Sequence, residues 1–136
     1  MKWQLLTAQE VAEFNSDICI TNGLNNHCYG IGKVESALSS AFYPGDYPFV
    51  HGGVAAVAGA LCFYITQAHA FFDGNKRTAL IASTVLLRAN GWRLRYPMTA
   101  TSNALSDLIE ACASSEVTKV TKEQMMKWFD DHKVAL

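Results

Sequence analysis

Nine consecutive residues, His69-Ala70-Phe71-Phe72-Asp73-Gly74-Asn75-Lys76-Arg77, bring a base, a carboxylate, an amide and two cations together. A histidine titrates near neutral pH and can take a proton from a hydroxyl. A lone aspartate beside phosphate-binding groups suits Mg²⁺, which binds through one or two carboxylates plus the substrate's phosphates. Gly74 allows close backbone approach and a φ that other residues resist. Asn75 can hydrogen-bond a phosphate oxygen or cap a helix. Lys76 offers a point charge and Arg77 a planar fork for phosphate oxygens. If a helix starts here, its free N–H groups and dipole add to an anion nest. Phe71 is then an apolar peg that holds the loop on the core. Base, metal carboxylate and phosphate nest describe a nucleotide-dependent transferase. Taken alone, the residues also allow a structural histidine at a helix end and a solvated Asn-Lys-Arg helix start. A His69/Asp73 metal site lacks a third ligand nearby. The stretch is not the phosphate loop of nucleoside triphosphatases, because no glycine lies five residues before Gly74.

The elements that must position this loop read as helices. Thr7-Ala8-Gln9-Glu10 is a capping box that opens a helix with Val11, Phe14 and Ile18 on one face, ending near Gly23. Residues 24–32 read as loop. Val34, Ala37, Leu38 and Ala41 mark a second helix. The aromatic turn from Phe42 to Phe49, with Pro44, Gly45 and Pro48, follows it. After Gly52-Gly53, a third helix runs to about His69; it is apolar nearly all round, and so central. A fourth runs from about Asn75 to Ala89, with Asn90-Gly91 as its left-handed stop. Trp92–Tyr96 alternates like a short, unpaired strand. Leu105, Leu108, Ile109 and Cys112 define a fifth helix. The capping box Thr121-Lys122-Glu123-Gln124 opens a sixth, with Met125, Trp128 and Phe129 inward. The expected architecture is all-α, about six helices in one domain over residues 1–136. Two buried helices flank the loop.

Composition narrows the partners. The chain has 136 residues, 50% apolar and 17% charged, which fits a globular core and excludes disorder and coiled coils. The net charge of −1 conceals a stretch, residues 74–106, that holds Lys76, Arg77, Arg88, Arg93 and Arg95 and no acid. A pI of about 6.4 speaks against wholesale nucleic-acid binding. Arg88 lies about 16 Å along the helix from Arg77, so Arg88, Arg93 and Arg95 read as surface residues or partner contacts rather than parts of the nest. The longest apolar run, Val54–Ile65, is too short to span a membrane. Residues 1–9 show no secretory pattern. Cys19, Cys28, Cys62 and Cys112 form no C-x-x-C pair or zinc spacing and are expected reduced, in the cytoplasm.

The nine residues and the three that follow, Thr78-Ala79-Leu80, resemble the Fic/Doc signature, roughly H-x-F-x-[DE]-G-N-G-R-x-x-R. Gly32-Lys33-Val34-Glu35-Ser36-Ala37-Leu38 is similar to the G-x-x-E-S-A-L stretch of the death-on-curing, or Doc, branch. The resemblance implies an all-α Fic fold and use of ATP or another nucleoside triphosphate with Mg²⁺. It makes His69 the base that deprotonates a target hydroxyl, Phe71 the loop anchor and Asp73 the Mg²⁺ ligand. Gly74, Asn75, Lys76 and Arg77 line the phosphate nest, and the aromatic turn corresponds to a flap that docks the target backbone. Lys76 stands where adenylylating members have a second glycine, and Leu80 where they have a second arginine. Doc-like proteins share both changes, and Doc phosphorylates elongation factor Tu. Phosphoryl transfer to a protein hydroxyl is therefore the favoured expectation, with nucleotidyl transfer as the alternative, since Gly74 is kept where Doc has alanine. No glutamate fits the self-inhibitory pattern [ST]-x-x-x-E-[GN], so the resemblance implies control by a separate antitoxin that covers the site. An inactive Fic-fold binding module and a DNA-binding regulator are the competing classes.

Overall fold

The computed structural model describes residues 3–43, 53–99, 101–113 and 120–136. Helices dominate: α1 (Ala8–Asn22), α2 (Ile31–Phe42), α3 (Val54–Ala68), α4 (Asn75–Ala89), α5 (Ala104–Ala113) and α6 (Lys122–His132). Two short strands, β1 (Trp92–Leu94) and β2 (Lys133–Ala135), complete the described elements. The all-α class expected from the residue periodicity is the one observed. None of the described helices is long and apolar enough to cross a membrane.

Local chemistry explains the helix boundaries. Thr7 Oγ1 accepts the Glu10 N–H at 3.1 Å, and the Glu10 carboxylate accepts the Thr7 N–H at 2.9 Å. Thr121 and Gln124 repeat the box at α6, at 3.2 and 2.8 Å. Gly23 closes α1 in the left-handed region, φ 66°. At the end of α4 the positive φ falls on Gly91 (88°), while Asn90 stays at φ −114°.

α3 is the axis of the molecule. Every residue from Val54 to Cys62 is buried, and α2, α4, α5 and α6 all pack against it. Its inner residues Val57, Leu61 and Cys62 meet Leu86 and Leu87 of α4 and Met125 and Phe129 of α6 within one core. Burial pushes the Cys62 thiol up to about 12, so it stays protonated and inert. All four cysteines are free thiols.

Four expectations are corrected. α2 starts at Ile31 with Gly30 as its cap, three residues before the apolar periodicity begins, because its first turn faces solvent. Phe42 belongs to the core at the end of α2, 2% exposed, and is not part of a flap; residues 44–49 of that aromatic turn lie outside the described residues. The strand after α4 is paired: β1 runs antiparallel to β2, with Arg93 opposite Val134. Lys133-Val134-Ala135 is too short to carry a strand pattern, which hid the partner. In α6, Met125 and Phe129 are fully buried, whereas Trp128 sits at the core's edge, stacked on His132 with ring centroids 4.0 Å apart.

The inner face of α1 also differs. The spacing of Val11, Phe14 and Ile18 predicts the buried stripe, yet Val11, Asn15 and Cys19 are the residues fully buried. The helix is turned so that a polar side chain points inward, and the reason lies in the loop before α4.

Candidate functional site

The residues between α3 and α4 form a short, tightly held loop. Its outer edge pairs with the segment after α1: the Tyr29 N–H donates to the Ala70 carbonyl at 2.8 Å, and the Phe72 N–H to the His27 carbonyl at 2.9 Å. Phe71, between these bonds, is 2% exposed and joins the central core. Asn75 clasps the loop from within. Its Oδ1 accepts the Phe71 N–H at 3.1 Å, and its Nδ2 donates to the Phe71 carbonyl at 2.8 Å. Both ends of the Asn75 amide are thus spent on loop geometry, leaving its backbone N–H for a ligand.

Gly74 caps α4 at φ 78°, in the region that favours glycine. No side chain caps the helix, so the first-turn N–H groups of Asn75, Lys76 and Arg77 keep their anion-binding capacity. The Arg77 guanidinium is exposed and has no ion pair among the described residues. Lys76 is engaged otherwise: its Nζ reaches both carboxylate oxygens of Glu110 on α5, at 2.8 and 2.9 Å. Both side chains are exposed, 48% for Lys76 and 69% for Glu110, a class of contact worth about 0–1 kcal/mol. A phosphate can therefore compete with it.

His69 ends α3 and is the one non-glycine residue with positive φ among the described residues, at 47°. A left-handed histidine is uncommon, and such conformations cluster at functional sites. It turns the chain sharply and leaves the imidazole exposed, with no hydrogen bond among the described residues. A cleft of about 550 Å³ opens over this junction, lined by His69, Asp73, Gly74, Asn75, Lys76 and Arg77 together with Thr66 of α3. That volume suits a small-molecule site. Thr66 is 1% exposed; its hydroxyl, near the Cys62 thiol, has no hydrogen-bond partner of ordinary geometry among the described residues.

Asp73 enters the cleft with one carboxylate oxygen, Oδ2, accepting the Asn25 N–H at 3.0 Å. No three His, Cys, Asp or Glu side chains cluster as a metal cage among the described residues. The donor set of one carboxylate beside a phosphate nest fits Mg²⁺, which keeps waters and takes its remaining ligands from substrate phosphates.

Beneath the loop lies the polar side chain that turns α1. Asn15, 1% exposed, donates from Nδ2 to the Asp73 carbonyl at 2.7 Å and to Thr78 Oγ1 at 3.1 Å. The Cys19 thiol reaches the same carbonyl at 3.6 Å. Burial and then the Asp73 charge raise the Cys19 pKa, opposed by Arg77, so the thiol keeps its proton as a donor. α1 thereby fixes the peptide that carries Asp73 and starts α4. A polar residue at the i+4 step between Val11 and Cys19 was the available signal. Neither Asn15, Thr66 nor Glu110 belongs to the nine-residue stretch. We expect Asn15→Ala to cost about 1–3 kcal/mol, since it strips a buried carbonyl and hydroxyl of their donor. Thermal unfolding should show the loss, and an unchanged melting temperature would refute this role.

No curated protein matches the chain. The model of the Fic/DOC family matches residues 9–87, from the first turn of α1 almost to the end of α4. Those residues include every group that shapes the cleft except Ala113 of its lining and Glu110. Fic/DOC proteins in general modify other proteins by transfer from a nucleoside triphosphate. A match over more than half of the sequence, which takes in the loop between α3 and α4, makes this chain a member of the Fic/DOC family.

Proposed function

We propose that the chain transfers the γ-phosphoryl group of ATP to a hydroxyl of a target protein, and that it is the toxin of a toxin–antitoxin pair acting in the cytoplasm. Elongation factor Tu is the candidate target. The observation that carries the reading is Lys76, which occupies the position of the second glycine of adenylylating enzymes and projects toward α5, where Glu110 meets it. With Leu80 in place of the second arginine, the nest is remodelled as in Doc-like proteins.

The target oxygen forms a bond to the γ-phosphorus while the bond to the β,γ-bridging oxygen breaks, and ADP leaves. The hydroxyl proton passes to the His69 imidazole. The first-turn N–H groups of α4, Arg77 and Lys76 neutralise the charge on the phosphate oxygens, which supplies most of what phosphoryl transfer needs. Asp73 would hold Mg²⁺, which contributes further charge neutralisation on the phosphates. Asp73→Ala should weaken Mg²⁺-dependent ATP binding by calorimetry; unchanged binding would contradict the assignment.

Nucleotidyl transfer is the second reading, favoured by one observation. Gly74 is kept at φ 78°, and a Cβ there would lie 3.1 Å from Asn15 Nδ2 and 3.4 Å from Cys19 Sγ. Incubation of the purified chain with elongation factor Tu and Mg·ATP separates the readings by mass spectrometry. A phosphate on a Ser or Thr hydroxyl is the expected product. A nucleotide adduct would replace the first reading with the second, and an unmodified factor would remove it as the target. Expression of the chain should arrest growth, and the neighbouring antitoxin gene should restore it; harmless expression of the folded protein would contradict the toxin reading.

A further inference from the structure

Three arginines stand apart from the phosphate nest, and the fold gathers them. Arg88 lies in the last turn of α4, Arg93 in the middle of β1, and Arg95 just beyond it. Pairing with β2 and the Arg95 N–H donated to the His132 carbonyl at 2.9 Å hold this segment extended. Arg93 and Arg95, two residues apart, therefore leave the ribbon on one side. With Arg88 they line a single hollow of about 380 Å³. All three are exposed, and none has a carboxylate partner or hydrogen-bonded side chain among the described residues. The chain has twelve acidic residues, so leaving this cluster uncompensated is a specific feature of the placement. Like charges held together without counter-ions repel, and they create a local positive potential that a ligand can neutralise.

The other walls of the hollow describe that ligand. Leu87, fully buried, closes its floor, Leu94 is turned toward the core, and Met98, 61% exposed, stands at its rim. The exposed Met98 contributes nothing to a free phosphate. Stacking of a nucleobase is disfavoured as well, because Tyr96, the aromatic residue of the hollow, is packed against Trp128 with ring centroids 5.5 Å apart. Guanidinium forks matched to carboxylates, with an exposed methionine at the rim, suit a peptide that carries carboxylates and apolar side chains. We propose that this hollow is a docking site for an acidic peptide segment with interspersed apolar side chains, presented by a second protein. The site shares a side of α4 with the catalytic loop: Arg77 and Arg88 are eleven residues, or about three turns, apart.

Fluorescence anisotropy on the full chain, without nucleotide, tests this independently of any transfer chemistry. The probes are a labelled peptide alternating glutamate with leucine and a labelled single-stranded oligothymidylate. Saturable peptide binding is expected, weakening as salt rises. The triple variant Arg88→Gln/Arg93→Gln/Arg95→Gln should lose at least about tenfold in affinity, while Arg77→Ala keeps it. Circular dichroism of the triple variant checks that it is folded. Equal peptide binding by the folded triple variant, or loss of binding in Arg77→Ala, would overturn the proposal. So would tighter binding of oligothymidylate, which would make the hollow a nucleic-acid site.

Discussion

His69→Ala is expected to lower the transfer rate by about 10²–10⁴-fold, the usual contribution of a positioned general base, and to leave ATP binding within a small factor of wild type. The split follows from the architecture. The groups proposed to bind phosphate belong to the start of α4, whereas His69 belongs to the end of α3 and has no hydrogen bond tying it to them. Its φ of 47° complicates a simple truncation, because alanine resists the left-handed region more than histidine does. His69→Asn supplies the control, since asparagine accepts that conformation but is no base at neutral pH. Both variants should be inactive, and His69→Asn should melt near wild type. Rate measurements and ATP calorimetry on the two variants decide the matter; retained transfer in either would remove His69 from the chemistry.

The largest effect on stability is expected at Gly59. It lies within α3 where α6 crosses, and a Cβ there would meet the Met125 carbonyl oxygen at 2.7 Å and Met126 Cα at 2.8 Å. Both are backbone atoms, so no side chain can swing aside. Gly59→Ala must part the two helices that bury Leu61, Met125 and Phe129, which opens the centre of the core. Overpacking of this kind costs about 1–3 kcal/mol or more, a fall in melting temperature of roughly 5–10 °C for a chain of this size. Gly32→Ala in α2 is the contrast. Nothing lies within 4 Å of its Cβ, and the helix gains from the added methyl group. Calorimetric unfolding should lower the melting temperature for the first and hold or raise it for the second. Equal melting temperatures would show that α6 does not sit tightly on α3.

The loop is legible in the sequence, whereas its supports are not. His69 to Arg77 are contiguous, so their shared chemistry is visible without the fold. α3 and α4 are legible for a related reason: an apolar helix with few charges can only be central. The supports were harder because each comes from a distant segment. Asn15 reaches across 58 residues to the Asp73 carbonyl, and Glu110 across 34 to Lys76. Hydrophobic spacing placed Phe14 and Ile18 on the inner face of α1, because a buried asparagine pays its desolvation only when a partner exists, and that partner lies in another element. Strand β2 was invisible for its brevity. Its pairing with β1 is nonetheless what brings Arg93 and Arg95 beside Arg88.

A cleft between α3 and α4 that uses a nucleoside triphosphate to modify protein must label protein from ATP. Incubation of the purified chain with a cell lysate and Mg·ATP, labelled in parallel at the α and γ positions, measures this. The label on protein is then counted against a His69→Ala control. His69-dependent label on protein is expected from the γ position and none from the α position. Label from the α position would reassign the reaction as nucleotidyl transfer, and no label from either would contradict a transferase altogether.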